Sequence, residues 1–206
     1  MEKQDHVRRR EPPAFQPEPL SDDWSKWLAG VWKVSGQTEW VVGDLKDVDI
    51  PAIEDSGSGW ANIELDLNGQ FLIIKSEGKI PEMDDEQIQN LKESTEAPDE
   101  EIKRFVSSPF RSLQLFTIDP KTGEWIGFLF DSLRSMAKGR GMIDQNKQIM
   151  EWEWYGLGHG VKSIQIRERV GIDRLLITEE FTLPDDKVMK EITVMTKMKE
   201  TAKPKS

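Results

Sequence analysis

Cysteine is missing from all 206 residues, which excludes disulfides, thiolate metal sites and a cysteine nucleophile together. Histidine is nearly as scarce: His6 and His159 are the whole supply, too few for a metal site built on several imidazoles. Long apolar runs are also absent. The longest are short pieces such as residues 71–74, far below the roughly 18–20 residues of a membrane-spanning helix, so no membrane span is expected. The opening MEKQDHVRRREPP carries basic residues with no apolar stretch behind them, which is not a secretory signal, and a cytoplasmic location is the expectation.

A basic stripe is lacking too. The formal net charge is −10, and residues 82–101 hold nine acids against the single base Lys92, so this stretch alone accounts for −8. The acidity is a local, solvated feature, and nothing basic is laid out to follow a phosphate backbone. Nucleic acid is therefore not an expected partner. Arg8, Arg9 and Arg10 stand in a proline-rich tail flanked by acids and read as solubilising residues.

What is present is a folded chain in a β rhythm. With 36% hydrophobic and 32% charged residues, 206 residues suit one well-solvated domain with a single core. Residues 1–20 contain Pro12, Pro13, Pro17 and Pro19 without apolar periodicity and read as a disordered arm, 21–200 as the domain, and 201–206 as a flexible tail. Ser21 before Asp22 and Asp23 is placed to cap a helix over 22–29 that Gly30 ends. From Val31 the period changes to two, with Trp32, Val34, Gly36, Thr38, Trp40 and Val42 on one strand face. After a loop over 43–59, Ala61, Ile63, Leu65 and Leu67 lead into Asn68-Gly69, a strong hairpin signal, and 71–76 return as the partner strand.

Residues 81–109 break that rhythm, with Ile88 and Leu91 at helical spacing and Pro98 ahead of Ile102, and read as an acidic helical insertion over one end of the fold. Strands resume over 112–118, 125–131, 135–143, 148–155, 161–170, 174–183 and 188–199, separated by turn-forming residues. About nine strands in consecutive up-and-down order, with no helix between the late ones, predict a mostly β fold. Closure into a barrel removes the exposed edges of such a sheet.

Gly30-Val31-Trp32, at the junction of a short helix and a strand, resembles the Gly-x-Trp signature that opens the first strand of lipocalins and related calycins. FRSLQLFTIDPKTGEWIGFLFDS and MKEITVMTKMK are similar to an uncharacterised bacterial family with a lipocalin-like barrel, and the resemblance spans residues 21–199. It implies an antiparallel up-and-down closed barrel in which Trp32 plugs one end and a basic side chain of the last strand, Lys197 or Lys199, packs over it. Calycins commonly carry Arg at that place. The resemblance supplies a fold and little chemistry.

Trp152, Trp154 and Met150 share one strand face, with Glu151 and Glu153 on the other. Alternation alone does not say which face is inside. Inward tryptophans would fill the core or wall a pocket for an apolar molecule. Inward glutamates would be buried carboxyls able to act as general acid or base. Arg167 and Arg169 alternate with Ile164 and Ile166, and Glu179 and Glu180 across the next turn make cross-strand ion pairs on the solvent face the expected arrangement. An inward arginine would instead mark a carboxylate-binding pocket of the kind fatty-acid-binding barrels use. His159 lies in a glycine-rich loop and reads as a surface residue; its alternative is an axial ligand, since nitrobindin barrels, related to the lipocalin-like ones, hold haem through one histidine, although the first strand here lacks the glycine-rich pattern that follows their Trp.

The expected function is binding of a small apolar or amphiphilic ligand inside the barrel, with Trp60, Trp125, Phe130, Trp152, Trp154, His159 and Arg167 as candidate ligand contacts. No catalytic residue, metal site or resident cofactor is assigned. Two alternatives stay open: a barrel enzyme using Glu151 or Glu153, and a protein-interaction subunit whose barrel is filled. Self-association into a homodimer stays open as well.

Overall fold

Alternation of side chains along ten consecutive strands lets each strand keep one face for the interior, and in the computed structural model these strands close on themselves. The structure describes residues 18–39, 59–79, 85, 88–89, 92, 98–156, 159–183 and 188–199. Helix α1 (Asp23–Leu28) leads into β1 (Gly30–Glu39), followed by β2 (Gly59–Asp66) and β3 (Phe71–Lys79). Helix α2 (Asp99–Ser107) then precedes β4 (Pro109–Ile118), β5 (Trp125–Asp131), β6 (Met136–Asp144) and β7 (Lys147–Tyr155). The last three strands are β8 (Lys162–Arg169), β9 (Arg174–Thr182) and β10 (Val188–Lys197). Each pairs antiparallel with its sequence neighbours, and β1 closes the ring against β10 from Trp32↔Lys197 to Glu39↔Lys190. The chain adopts the expected up-and-down closed barrel, with ten strands where the sequence pattern predicts about nine.

Local chemistry differs from expectation in two places. The cap of α1 is Asp22 rather than Ser21: its carboxylate accepts from the Ser25 backbone N–H at 2.8 Å and from the Ser25 hydroxyl at 2.7 Å, using both oxygens on the first turn. The β2–β3 hairpin turns through four residues, 67–70, because Asp66 pairs with Phe71; Leu67, Asn68 and Gly69 all take positive φ, at 51°, 59° and 76°. Of the expected helical insertion over 81–109, helix α2 is described, and most of 81–97 lies outside the described residues. So do Trp40, Val42 and the loop over 43–58.

Two halves of the barrel interior differ in kind. At the α1 end, Leu20, Trp24, Leu28 and the fully buried Trp32 form a plug. The Trp32 indole N–H donates to the Leu28 carbonyl at 2.7 Å. Lys197, the basic residue expected over Trp32, donates to the Trp27 carbonyl at 2.6 Å with its ammonium 5.4 Å from the Trp32 ring centroid. Gly30, at φ 137°, is needed here twice over, since a Cβ would fall 2.8 Å from the Lys197 Cε. Above the plug, Phe116, Trp125, Met150 and Trp152 fill the wall formed by β4 to β7. The Trp152 ring lies so close to β5 and β6 that a Cβ on Gly127 or Gly139 would come within 2.6 Å of it. These two glycines make the space that Trp152 occupies. The opposite end of the barrel is hollow.

Candidate functional site: a polar pole inside an aromatic cavity

The hollow half is a cavity of about 380 Å³ that reaches the barrel end away from α1, where Gly59, Lys79, Phe110, Asp131 and Leu133 border it. This volume lies at the lower end of the range of small-molecule pockets. Its apolar wall comes from inward positions of several strands, among them Ile63, Ile74, Leu129, Leu175, Ile177 and Phe181. The polar wall comes chiefly from β8, β9 and β10. On β8 the inward set is Ser163, Gln165 and Arg167, all buried, while Ile164 points outward and is 50% exposed. Register then sets Gln165 beside Glu179 and Glu179 beside Glu191, so one row of the barrel carries an amide and two carboxyls across three adjacent strands.

Glu179 is held by two donors at 2.5 Å, the Ser163 hydroxyl on Oε1 and the Gln165 amide on Oε2. Trp154 in turn donates its indole N–H to the Ser163 oxygen at 2.9 Å. Arg167, 2% exposed, donates through Nε to Gln165 Oε1 at 2.8 Å and through one Nη to Gln114 Oε1 at 2.5 Å, and its guanidinium carbon lies 4.5 Å from the Phe116 ring centroid. A guanidinium has five N–H donors. The remaining N–H groups of Arg167 meet no acceptor among the described residues, and the side chain borders the cavity.

Burial governs the charges. It lowers the Arg167 guanidinium to about 10, opposed by the Glu179 carboxylate, and so leaves it cationic at neutral pH. Burial raises Glu179, while the Ser163 and Gln165 hydrogen bonds and the Arg167 charge pull it back down. Glu191 is pushed up to about 7, first by burial and then by the neighbouring Glu179 charge, and the Thr193 hydroxyl at 3.4 Å offsets this only in part.

Of the residues singled out in the sequence, Trp60, Trp154 and Arg167 border the cavity together. Trp125 and Trp152 are buried in the filled half and do not reach it. Phe130 faces outward at 42% exposure, and His159 is exposed in the loop after β7, its backbone N–H on the Gly156 carbonyl. Glu151 and Glu153 are both exposed, because Trp152 and Trp154 take the inner face of β7; the acid–base reading built on these two glutamates therefore fails. The solvent-face ion pairs expected of Arg167 and Glu179 are corrected likewise: both are interior, and the pair stands in a hydrogen-bonded row. Arg169 instead lies over the Trp27 ring at 4.8 Å, in the plug.

Sequence reasoning missed Gln114, Ser163, Gln165 and Glu191 as site residues. The signal for Glu179 was readable, since it shares the period-two phase of Leu175, Ile177 and Phe181, an acid in an apolar register. On β8 no such signal exists, because the isoleucines there take the outer face.

Among the described residues, no group of three or more His, Asp or Glu is arranged to hold a metal ion, and no helix is long and apolar enough to cross a membrane. Fold and site define a closed antiparallel barrel with a polar pole inside an aromatic cavity. No protein-family model matches the sequence, and no curated protein matches it. An S-type phycobiliprotein lyase from Guillardia theta is among the similar solved structures, at 7% identity over 85% of this chain and 91% of that one, with a TM-score of 0.31. Such a likeness is too loose to carry function.

Proposed function

We propose that the barrel is a binding protein for one small amphiphilic molecule, held in the cavity with its apolar part against Leu129, Ile177 and Phe181 and its polar end on Arg167. The reading takes the chain as a cytoplasmic relative of the lipocalin-like barrels that its Gly30-Val31-Trp32 opening resembles. One observation carries it: a cavity of about 380 Å³ bordered by a guanidinium that is 2% exposed and keeps unused N–H donors. No Arg167 nitrogen is among the fully enclosed atoms without a partner, so its spare N–H groups open onto the cavity, where a ligand acceptor can take them. The filled-barrel alternative explains the plug end and leaves this half of the interior unaccounted for.

Titration with the neutral dye Nile red, followed by fluorescence, tests the reading against a variant that fills the space. Ile177→Trp should weaken binding at least tenfold, with Ile177→Phe as a milder filler should the larger ring unfold the barrel. Equal binding by the filled variants would place the dye on the outer surface, where Phe130 and Met136 are exposed, and would overturn the reading.

A further inference from the structure

Among the described residues, six charged ones border the cavity: Glu77, Lys79, Asp131, Arg167, Glu179 and Glu191. Four are acids and two are bases. Glu77, from β3, is engaged by the Arg111 guanidinium at 2.7 Å. Asp131, from β5, accepts the backbone N–H groups of Leu133 and Ser135 at 2.8 and 2.9 Å, and Lys79, from β3, borders the same mouth. Deeper in, Arg167 of β8 is balanced by Glu179 of β9. Glu191 of β10 is left over. Its row neighbours are Glu179 on β9 and the Thr38 position on β1, and its hydrogen bond is the long one from Thr193. No cation among the described residues answers it.

An unanswered carboxyl alone would not define a ligand. The second, independent observation is Arg167, nearly fully buried, with N–H donors that meet no acceptor among the described residues. Both lacks belong to one cavity, one calling for a cation and the other for a hydrogen-bond acceptor, with aromatic walls at Trp60, Phe110 and Trp154 around them.

Resting on the binding reading above, we infer that the ligand carries an ammonium group and a hydrogen-bond acceptor on one polar end, the chemistry of a compact apolar amino acid or amino amide. The ammonium faces Glu191 beside Glu179, and the acceptor takes the free edge of Arg167. On binding, the ammonium replaces the proton on Glu191. That proton leaves to solvent.

Calorimetry with four probes of similar size tests this: L-phenylalanine, phenethylamine, 3-phenylpropionate and neutral 2-phenylethanol. The expected order of affinity is phenylalanine, then phenethylamine, with 3-phenylpropionate at least tenfold weaker than phenethylamine. Because Glu191 titrates near 7, phenethylamine should bind up to about tenfold more tightly at pH 8 than at pH 6. At pH 7 the heat should differ between buffers of different ionisation enthalpy in the sense of proton release, a readout that needs no variant. Glu191→Gln should cost phenethylamine at least tenfold and tighten 3-phenylpropionate, whose carboxylate then meets one like charge fewer.

Tighter binding of 3-phenylpropionate than of phenethylamine, with proton uptake, would overturn the inference, and so would binding of 2-phenylethanol alone. Either result leaves the cavity-binding reading standing. Failure of all four probes and of Nile red overturns that reading itself.

Discussion

Glu191 and Glu179 face each other across β9 and β10, and like charges directly opposed on neighbouring strands repel. The consequence for stability has a definite sign. Glu191 is raised from 4.5 to about 7 in the folded chain, so the native state holds its proton more tightly than the unfolded state does. Its contribution is fully present below about 4.5 and is lost as pH rises through about 7; Glu179, also raised, acts in the same direction. Thermal unfolding of the Glu191→Gln variant beside the wild type should show the variant gaining on the order of 2–3 kcal/mol relative to wild type between pH 5 and pH 8. A difference independent of pH would mean that Glu191 titrates as an ordinary exposed carboxyl. At this scale the sequence was half legible. Glu179 sits in phase with Leu175, Ile177 and Phe181 and betrays itself, whereas Glu191 gains its meaning only from register with Glu179, which no local pattern encodes.

Among the elements, β5, β6 and β7 show how a side chain is bought space by its neighbours. Gly139 pairs with Trp152 across β6 and β7, and Gly127 pairs with Gly139 across β5 and β6, so the indole lies over a floor without side chains. Gly139→Ala should destabilise the barrel by about 1–3 kcal/mol in urea unfolding, because the new methyl meets a buried ring with nowhere to move. Gly171→Ala, in the exposed β8–β9 turn with its nearest neighbour at 3.8 Å, should stay within about 0.5 kcal/mol. Equal losses at both sites would remove the steric account of Trp152. The strands themselves were legible wherever a turn punctuated them: Asp119-Pro120 marks the end of β4, and Asn68-Gly69 marks the first hairpin. The facing of β8 was not, since polar Ser163, Gln165 and Arg167 point in and an exposed isoleucine points out. Hydrophobic alternation reads a strand correctly only when its inner wall is apolar, and a binding wall is the case where that fails.

For the whole molecule, the count and order of strands in the sequence were enough to anticipate a ring, because closure removes the edges of a long antiparallel meander altogether. Trp60, Trp154 and Arg167 of the cavity were legible, but not the half of the barrel that stays open. Its place depends on which half Trp152, Phe116 and the α1 plug consume, and that is decided by contacts between residues far apart in the chain. The same ring closure also brings the first and last strands of the barrel together. Trp32 pairs with Lys197, so the two ends of the barrel sequence lie side by side at the plugged pole, away from the mouth. The ring therefore has no intrinsic first strand. A circular permutant that joins the chain past Lys197 to the residues before α1 through a flexible linker, and opens instead at the exposed Gln145-Asn146 turn, should refold to the same barrel and keep Nile red binding. Its far-ultraviolet circular dichroism spectrum should superimpose on that of the parent, and a permutant that is unfolded or has lost the dye would show that the order of strands, and not only their adjacency, holds the cavity open.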